Sequence, residues 1–146
     1  MKPVRIDDGM LEQIAALESA SFVHPWSREA LELLCGDTAF GFVIFEGGRA
    51  VAYGGMLTVL DEGQITNIAT HPDYRRRGFG AAVLSALLEE ARARDLAFVT
   101  LEARESNFPA IALYQKLGFE TVGHRPRFYT APVEGALVMQ CNLKGN

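Results

Sequence analysis

The chain has 146 residues, 49% of them apolar, with a net charge of −4 and two cysteines. This length and apolar content predict a single domain over residues 1–146 with a substantial core. The acidic balance argues against general nucleic-acid binding, which calls for a basic excess, and two cysteines are too few for a disulfide framework.

Lys2 to Ile6 alternates enough to form a first strand. Asp7 or Asp8 can cap a helix that buries Leu11, Ile14, Leu17 and Ala20. His24-Pro25-Trp26-Ser27 breaks that helix, and Ser27 can cap a second one carrying Leu31, Leu34 and Cys35. Trp26 reads as a packing anchor on a loop that an acceptor substrate could reach. Ala39 to Phe45 and Ala50 to Leu60 are strands around a Gly47-Gly48 hairpin, and Gly54-Gly55 suggests a bulge or a close backbone approach. After Asp61-Glu62-Gly63 the strand Gln64 to Thr70 completes an antiparallel meander.

His71-Pro72-Asp73-Tyr74-Arg75-Arg76-Arg77-Gly78-Phe79-Gly80 follows, then a helix with Val83, Leu84, Leu87, Leu88 and Ala91 on its apolar face. Gly78 and Gly80 allow a tight turn whose N–H groups face a ligand, and the helix start adds free donors and a positive dipole end. Three arginines suit a pyrophosphate. A Walker loop would need Lys-Ser/Thr where Ala81-Ala82 stand. A dinucleotide fingerprint would need a third glycine at Val83 and a position directly after the strand, although Glu102 falls where that fold keeps its ribose-binding acid. A solvated basic turn is the plain alternative.

Ala97 to Leu101 is the next strand, and strand, helix and strand make a right-handed βαβ unit. The loops after Thr70 and Glu102 then leave the carboxyl ends of parallel strands, where such sheets bind ligands. Asn107 can cap a last helix through Ile111 to Leu117, stopped by Gly118, with Asn107, Ile111 and Tyr114 on one face. Phe119 to Phe128 and Ala136 to Leu143 close the sheet.

Cys35 and Cys141 read as core thiols of a reducing compartment. His24, His71 and His124 lie too far apart to suggest zinc, so no metal is expected. No signal-peptide run stands at the start and no stretch nears the roughly 18 apolar residues of a membrane span, so the expected location is cytoplasmic, away from membranes.

The Arg75-Arg76-Arg77-Gly78-Phe79-Gly80 loop and the run from Glu102-Ala103-Arg104-Glu105-Ser106-Asn107 to Tyr114-Gln115-Lys116-Leu117-Gly118-Phe119 together resemble the GNAT acetyltransferases. With His24-Pro25-Trp26-Ser27 and Asn67-Ile68-Ala69-Thr70-His71-Pro72-Asp73-Tyr74, the chain resembles the ribosomal-protein-alanine N-acetyltransferases, the RimI family, over nearly its whole length. The resemblance implies an α/β GNAT fold: a mixed sheet of about seven strands and about four helices, with central parallel strands splayed around acetyl-CoA. It implies acetyl transfer to an amine, most directly the N-terminal alanine of a small-subunit ribosomal protein, without direct nucleic-acid contact. The backbone of Ile68, Ala69 and Thr70 would pair with the pantetheine arm. The amides of Arg76, Arg77, Gly78, Phe79, Gly80 and Ala81 would hold the pyrophosphate, and Asn107 would meet the pantetheine. Glu102 matches the general base and Tyr114 the general acid.

The chemistry of these residues is consistent with such roles. At pH 7, deprotonating an α-amine of pKa near 8 costs roughly 1 kcal/mol, against about 4.6 for a lysine, so a carboxylate base suits a protein N-terminus. From the residues alone, Glu102 could instead be a surface carboxylate, Tyr114 a packing residue and Asn107 only a cap. The resemblance is weaker at Phe128-Tyr129-Thr130 and Glu134-Gly135-Ala136, where the family carries Tyr-Tyr and Glu-Asp-Ala. Tyr129 and Glu134 are candidates to line the acceptor groove. A lysine, polyamine or aminoglycoside acceptor, or a non-catalytic acyl-CoA-binding module, are the alternative readings.

Overall fold

The computed structural model describes residues 2–144. Seven strands form one mixed sheet. They are β1 (Val4–Arg5), β2 (Ala39–Glu46), β3 (Arg49–Val59), β4 (Glu62–Thr70), β5 (Phe98–Arg104), β6 (Glu120–Tyr129) and β7 (Glu134–Asn142), in the spatial order β1-β2-β3-β4-β5-β7-β6. Four helices accompany them: α1 (Leu11–Ser21), α2 (Arg28–Leu31), α3 (Phe79–Ala93) and α4 (Phe108–Lys116).

The predicted meander is present as β2-β3-β4, all antiparallel, with β1 added at its edge. Strand β7 inserts between β5 and β6, antiparallel to both. The first strand is shorter than predicted and the second helix lasts only four residues before tightening into a 3-10 turn, although Ser27 caps it as expected, accepting from the Ala30 N–H at 3.1 Å.

The sheet separates two cores. On one face, α1, α2 and the loop between them cover Val43, Tyr53 and Ala69; on the other, α3 and α4 cover Met56, Val99 and Leu101. The face of α1 is rotated from the one expected. Ala20 is exposed, and Leu11, Ile14 and Leu17 are joined in the interior by Glu18, which is 1% exposed.

Strands β4 and β5 run parallel only where Glu62, Gly63 and Gln64 face Phe98, Val99 and Thr100. Beyond that point β4 stays with β3 as far as Thr70, while β5 stays with β7 as far as Arg104. The strands part because each follows its antiparallel neighbour, and the row of β4 backbone groups facing β5 is left without a strand partner from Ile65 onward. At the parting, Gly55 pairs with Asn67 and Met56 with Ile65, so Thr66 is an extra residue in β4. The glycines opposite give the room: a Cβ on Gly54 would stand 2.6 Å from Ile68 Cδ1, and one on Gly55 2.6 Å from Thr66 Oγ1. Gly54-Gly55 therefore marks both a bulge and a close approach, with the inserted residue on the partner strand.

Candidate active site

The parting of β4 from β5 opens a cavity of about 650 Å³. Residues from both faces of the sheet line it: Glu18, Ser21 and the loop from Phe22 to Trp26 from one side, Asn107 and Tyr114 of α4 from the other, and Thr130 to Pro132 of the β6–β7 connection at the mouth. Glu102 of β5 and Tyr114 of α4, on consecutive elements, both line it.

Glu102 stands on β5 between buried Leu101 and Ala103, so strand alternation turns it out of the sheet's core into the opening. Its side chain is 34% exposed and its Oε2 lies 3.9 Å from Arg125 Nε, close enough for ionic attraction without a direct hydrogen bond. Tyr114 sits one turn beyond Ile111 on α4, and its ring packs 6.0 Å from that of Phe119. Burial pushes its phenol up from the ordinary value, so it is protonated at neutral pH. Tyr129 also lines the cavity, its phenol pushed up to about 12 by burial and then by the charge of Glu102.

The glycine loop lies past the end of β4. Gly78 has φ +82°, a left-handed conformation, and nothing would obstruct a Cβ there, so the requirement is conformational. Gly78 caps α3 with no side-chain bond, and the first bond of that end runs from the Ala82 N–H to the Gly78 carbonyl, leaving the amides of Phe79, Gly80 and Ala81 pointing out of the helix start. The buried Phe79 ring, edge-on to Tyr74 at 6.1 Å, anchors this end, while Arg77 lies over the Tyr74 ring at 5.1 Å and Arg75 Nε donates to the Thr70 carbonyl at 3.3 Å. Arg76 is exposed, with φ +64°. An uncapped helix start under exposed guanidinium groups fits a polyphosphate.

Ile68, Ala69 and Thr70 pair with β3 on one side and have no strand on the other, so their outward backbone groups suit an extended amide-bearing chain such as pantetheine. Asn107 caps α4, its Oδ1 accepting from the Ala110 N–H at 3.3 Å, which leaves its Nδ2 for a ligand.

Glu134 does not line the cavity. Arg104 Nη1 holds it at 3.0 Å, and it accepts the Ser106 N–H at 3.1 Å. Arg104 also donates to the carbonyls of Thr130 and Pro132 and lies 4.5 Å from the Tyr129 ring, so Glu134 and Arg104 brace the β6–β7 connection over the cavity mouth. Among the described residues there is no cluster of three or more His, Cys, Asp or Glu suited to a metal ion. No described helix is long and apolar enough to cross a membrane.

The sequence reading missed Glu18, which closes one wall. Its Oε1 accepts the Trp26 N–H at 2.8 Å; its Oε2 accepts from the Tyr53 hydroxyl and, at 3.3 Å, from Asn67 Nδ2. A signal was present: Glu18 lies seven residues after Leu11 and four after Ile14, within the buried stripe of α1.

Residues 11–119 match the Acetyltransferase (GNAT) family. The [ribosomal protein bS18]-alanine N-acetyltransferase of Escherichia coli (strain K12) is 37% identical over 125 residues, 84% of each chain. The crystal structure of the ribosomal-protein-S18-alanine N-acetyltransferase from Escherichia coli superimposes with a TM-score of 0.90 at 32% identity, covering 99% of this chain and 95% of the other. A GNAT family acetyltransferase from Elizabethkingia anophelis with acetyl-CoA bound shares the fold, with a TM-score of 0.67 at 16% identity over 73% of this chain and 77% of that one. The chain belongs to the acetyltransferase (GNAT) family and, within it, is similar to the ribosomal-protein-alanine N-acetyltransferases.

Proposed function

We propose that this cavity transfers acetyl from acetyl-CoA to the N-terminal α-amine of a protein, alanine on a small-subunit ribosomal protein, in the cytoplasm and without a metal. The observation that carries the reading is the joint presence of Glu102 and Tyr114 in one opening between β4 and β5, with the uncapped start of α3 in the chain segment that follows β4. Names borne by similar proteins support the acceptor.

Acetyl-CoA supplies an activated thioester. Glu102 takes a proton from the acceptor ammonium, directly or through water, so that the nitrogen lone pair can attack the acetyl carbon. As the new C–N bond forms and the C–S bond breaks, the Tyr114 phenol, which burial holds in its donating form, gives its proton to the departing sulfur; the second proton shed by the acylated nitrogen restores the phenol, and the proton on Glu102 passes to solvent. The amides of Phe79, Gly80 and Ala81, with Arg76 and Arg77, hold the diphosphate; Ile68, Ala69, Thr70 and Asn107 align the arm.

The test is acetyl transfer to paired peptides, one with a free N-terminal alanine and one with a blocked N-terminus and an internal lysine, resolved by mass spectrometry. Modification of the free N-terminus supports the proposal, and labelling confined to lysine overturns it.

A further inference from the structure

Three buried oxygens around the cavity have no hydrogen-bond partner: Ser21 Oγ, Thr66 Oγ1 and Asn67 Oδ1. All three residues line the opening on the α1 side. Their gathering has a cause in the backbone. Ile65 and Ile68 pack into the α3 core and Ala69 into the α1 core, as strand alternation requires on either side of a bulge. Because Thr66 is the extra residue, it and Asn67 in succession turn toward α1: Thr66 Oγ1 crowds the same space beside Gly55 as Leu34, and Asn67 Nδ2 reaches Glu18. Ser21 arrives from the helix, three residues beyond Glu18.

Glu18 fixes the sense of the Asn67 amide. A carboxylate only accepts, so the amide must present Nδ2 to it, and Oδ1 is left as a buried acceptor without a partner, on a residue that lines the cavity. Buried polar groups are otherwise paired, and three orphans in one wall point to a polar ligand: Asn67 Oδ1 needs a donor, and the two hydroxyls can donate or accept.

We propose that Ser21, Thr66 and Asn67 bind the first peptide group of the acceptor, with Asn67 Oδ1 accepting its N–H. This rests on the N-terminal acetylation reading and deepens it. The hydroxyls come to the ligand by rotation about χ1 and the amide by a swing in the broad χ2 well, while Glu18 acts as a positioning residue behind it. A peptide N-terminus carries that N–H three bonds from the reacting nitrogen. A lysine side chain has only methylenes there, so this wall selects α-amines.

The experiment compares an alanine-first peptide with its depsipeptide, in which an ester oxygen replaces the first peptide N–H, on the wild type, Asn67→Ala and Thr66→Val. The wild type is expected to prefer the amide about tenfold in kcat/KM, the worth of one hydrogen bond. Asn67→Ala should raise the acceptor KM, leave the acetyl-CoA KM unchanged and erase the preference; Thr66→Val should weaken the acceptor without changing volume. Equal use of amide and ester by the wild type overturns this inference while leaving N-terminal acetylation standing. Absence of any N-terminal acetylation, with acetyl-CoA still bound, overturns the underlying reading instead.

Discussion

The Tyr53 hydroxyl donates to Glu18 Oε2 beneath the α1 face of the sheet, with both side chains almost wholly withdrawn from solvent. The same carboxylate holds the Trp26 N–H and Asn67 Nδ2, so one side chain ties α1, β3, β4 and the loop before α2 together. Glu18→Ala strands these donors and is expected to lower unfolding free energy by about 2–4 kcal/mol; Tyr53→Phe removes one donor and costs about 1–3 kcal/mol. Urea denaturation measures both, and the double variant should lose less than the sum because the two share a partner. A loss within the range of a surface substitution for Glu18→Ala would contradict its place at the centre of this network.

Glu102→Gln and Tyr114→Phe probe the proposed proton transfers. Each should lower kcat by about 10²–10⁴-fold at pH 7, the usual worth of a positioned acid or base. Glu102 is partly exposed, so its neutral isostere should fold as stably as the wild type within about 0.5 kcal/mol. Steady-state rates with acetyl-CoA and an alanine-first peptide provide the check, and undiminished kcat in both variants would remove these residues from the chemistry.

Arg104→Ala releases the β6–β7 connection from the end of β5 by deleting bonds to Thr130, Pro132 and Glu134. The expected signature is a rise of about tenfold in the acceptor KM with nucleotide affinity unchanged, because the glycine loop follows β4 and takes no part in this brace. Calorimetric titration with CoA and peptide kinetics separate the two effects.

Stability should fall at both pH extremes. Glu134 is held below the ordinary carboxylate value, first by its bond with Ser106, and Glu105 likewise, first by His124. Their contribution is present above the unfolded carboxylate pKa and is lost as acid drives the pH down through the folded values. On the alkaline side Tyr129 is held up to about 12, and burial raises Tyr53 and Tyr114. Between about pH 10 and 12 the unfolded chain has lost phenolic protons that the folded chain retains, so the unfolded state binds fewer and unfolding free energy declines as pH rises. Chemical denaturation across the pH range, with phenolate absorbance followed in parallel, measures both limbs; flat stability from pH 10 to 12 would contradict the buried phenols.

Elements with a strong local code were legible in the sequence. Gly78, the apolar stripe from Val83 to Ala91 and the Asn107 cap each state their conformation within a few residues, and the loop and α3 lie where that code puts them. The acceptor wall was not legible for the opposite reason. An extra residue at Thr66 shows only when β4 is laid against β3, and Ser21 and Asn67 are ordinary polar residues until the bulge faces them toward Glu18. The insertion of β7 beside β5 likewise depends on long-range pairing, to which hydrophobic alternation is blind.

Because β4 leaves β5 after Gln64, the opening runs through the sheet, with α1 residues at one end and α4 residues at the other. Two reactants can therefore be held there at once, one against the residues of each face. Rate patterns should be those of a ternary encounter, with intersecting double-reciprocal lines, and no acetylated enzyme should accumulate when the peptide is withheld. The thiols agree: Cys35 and Cys141 do not line the passage, and both are raised above the ordinary thiol value, first by burial.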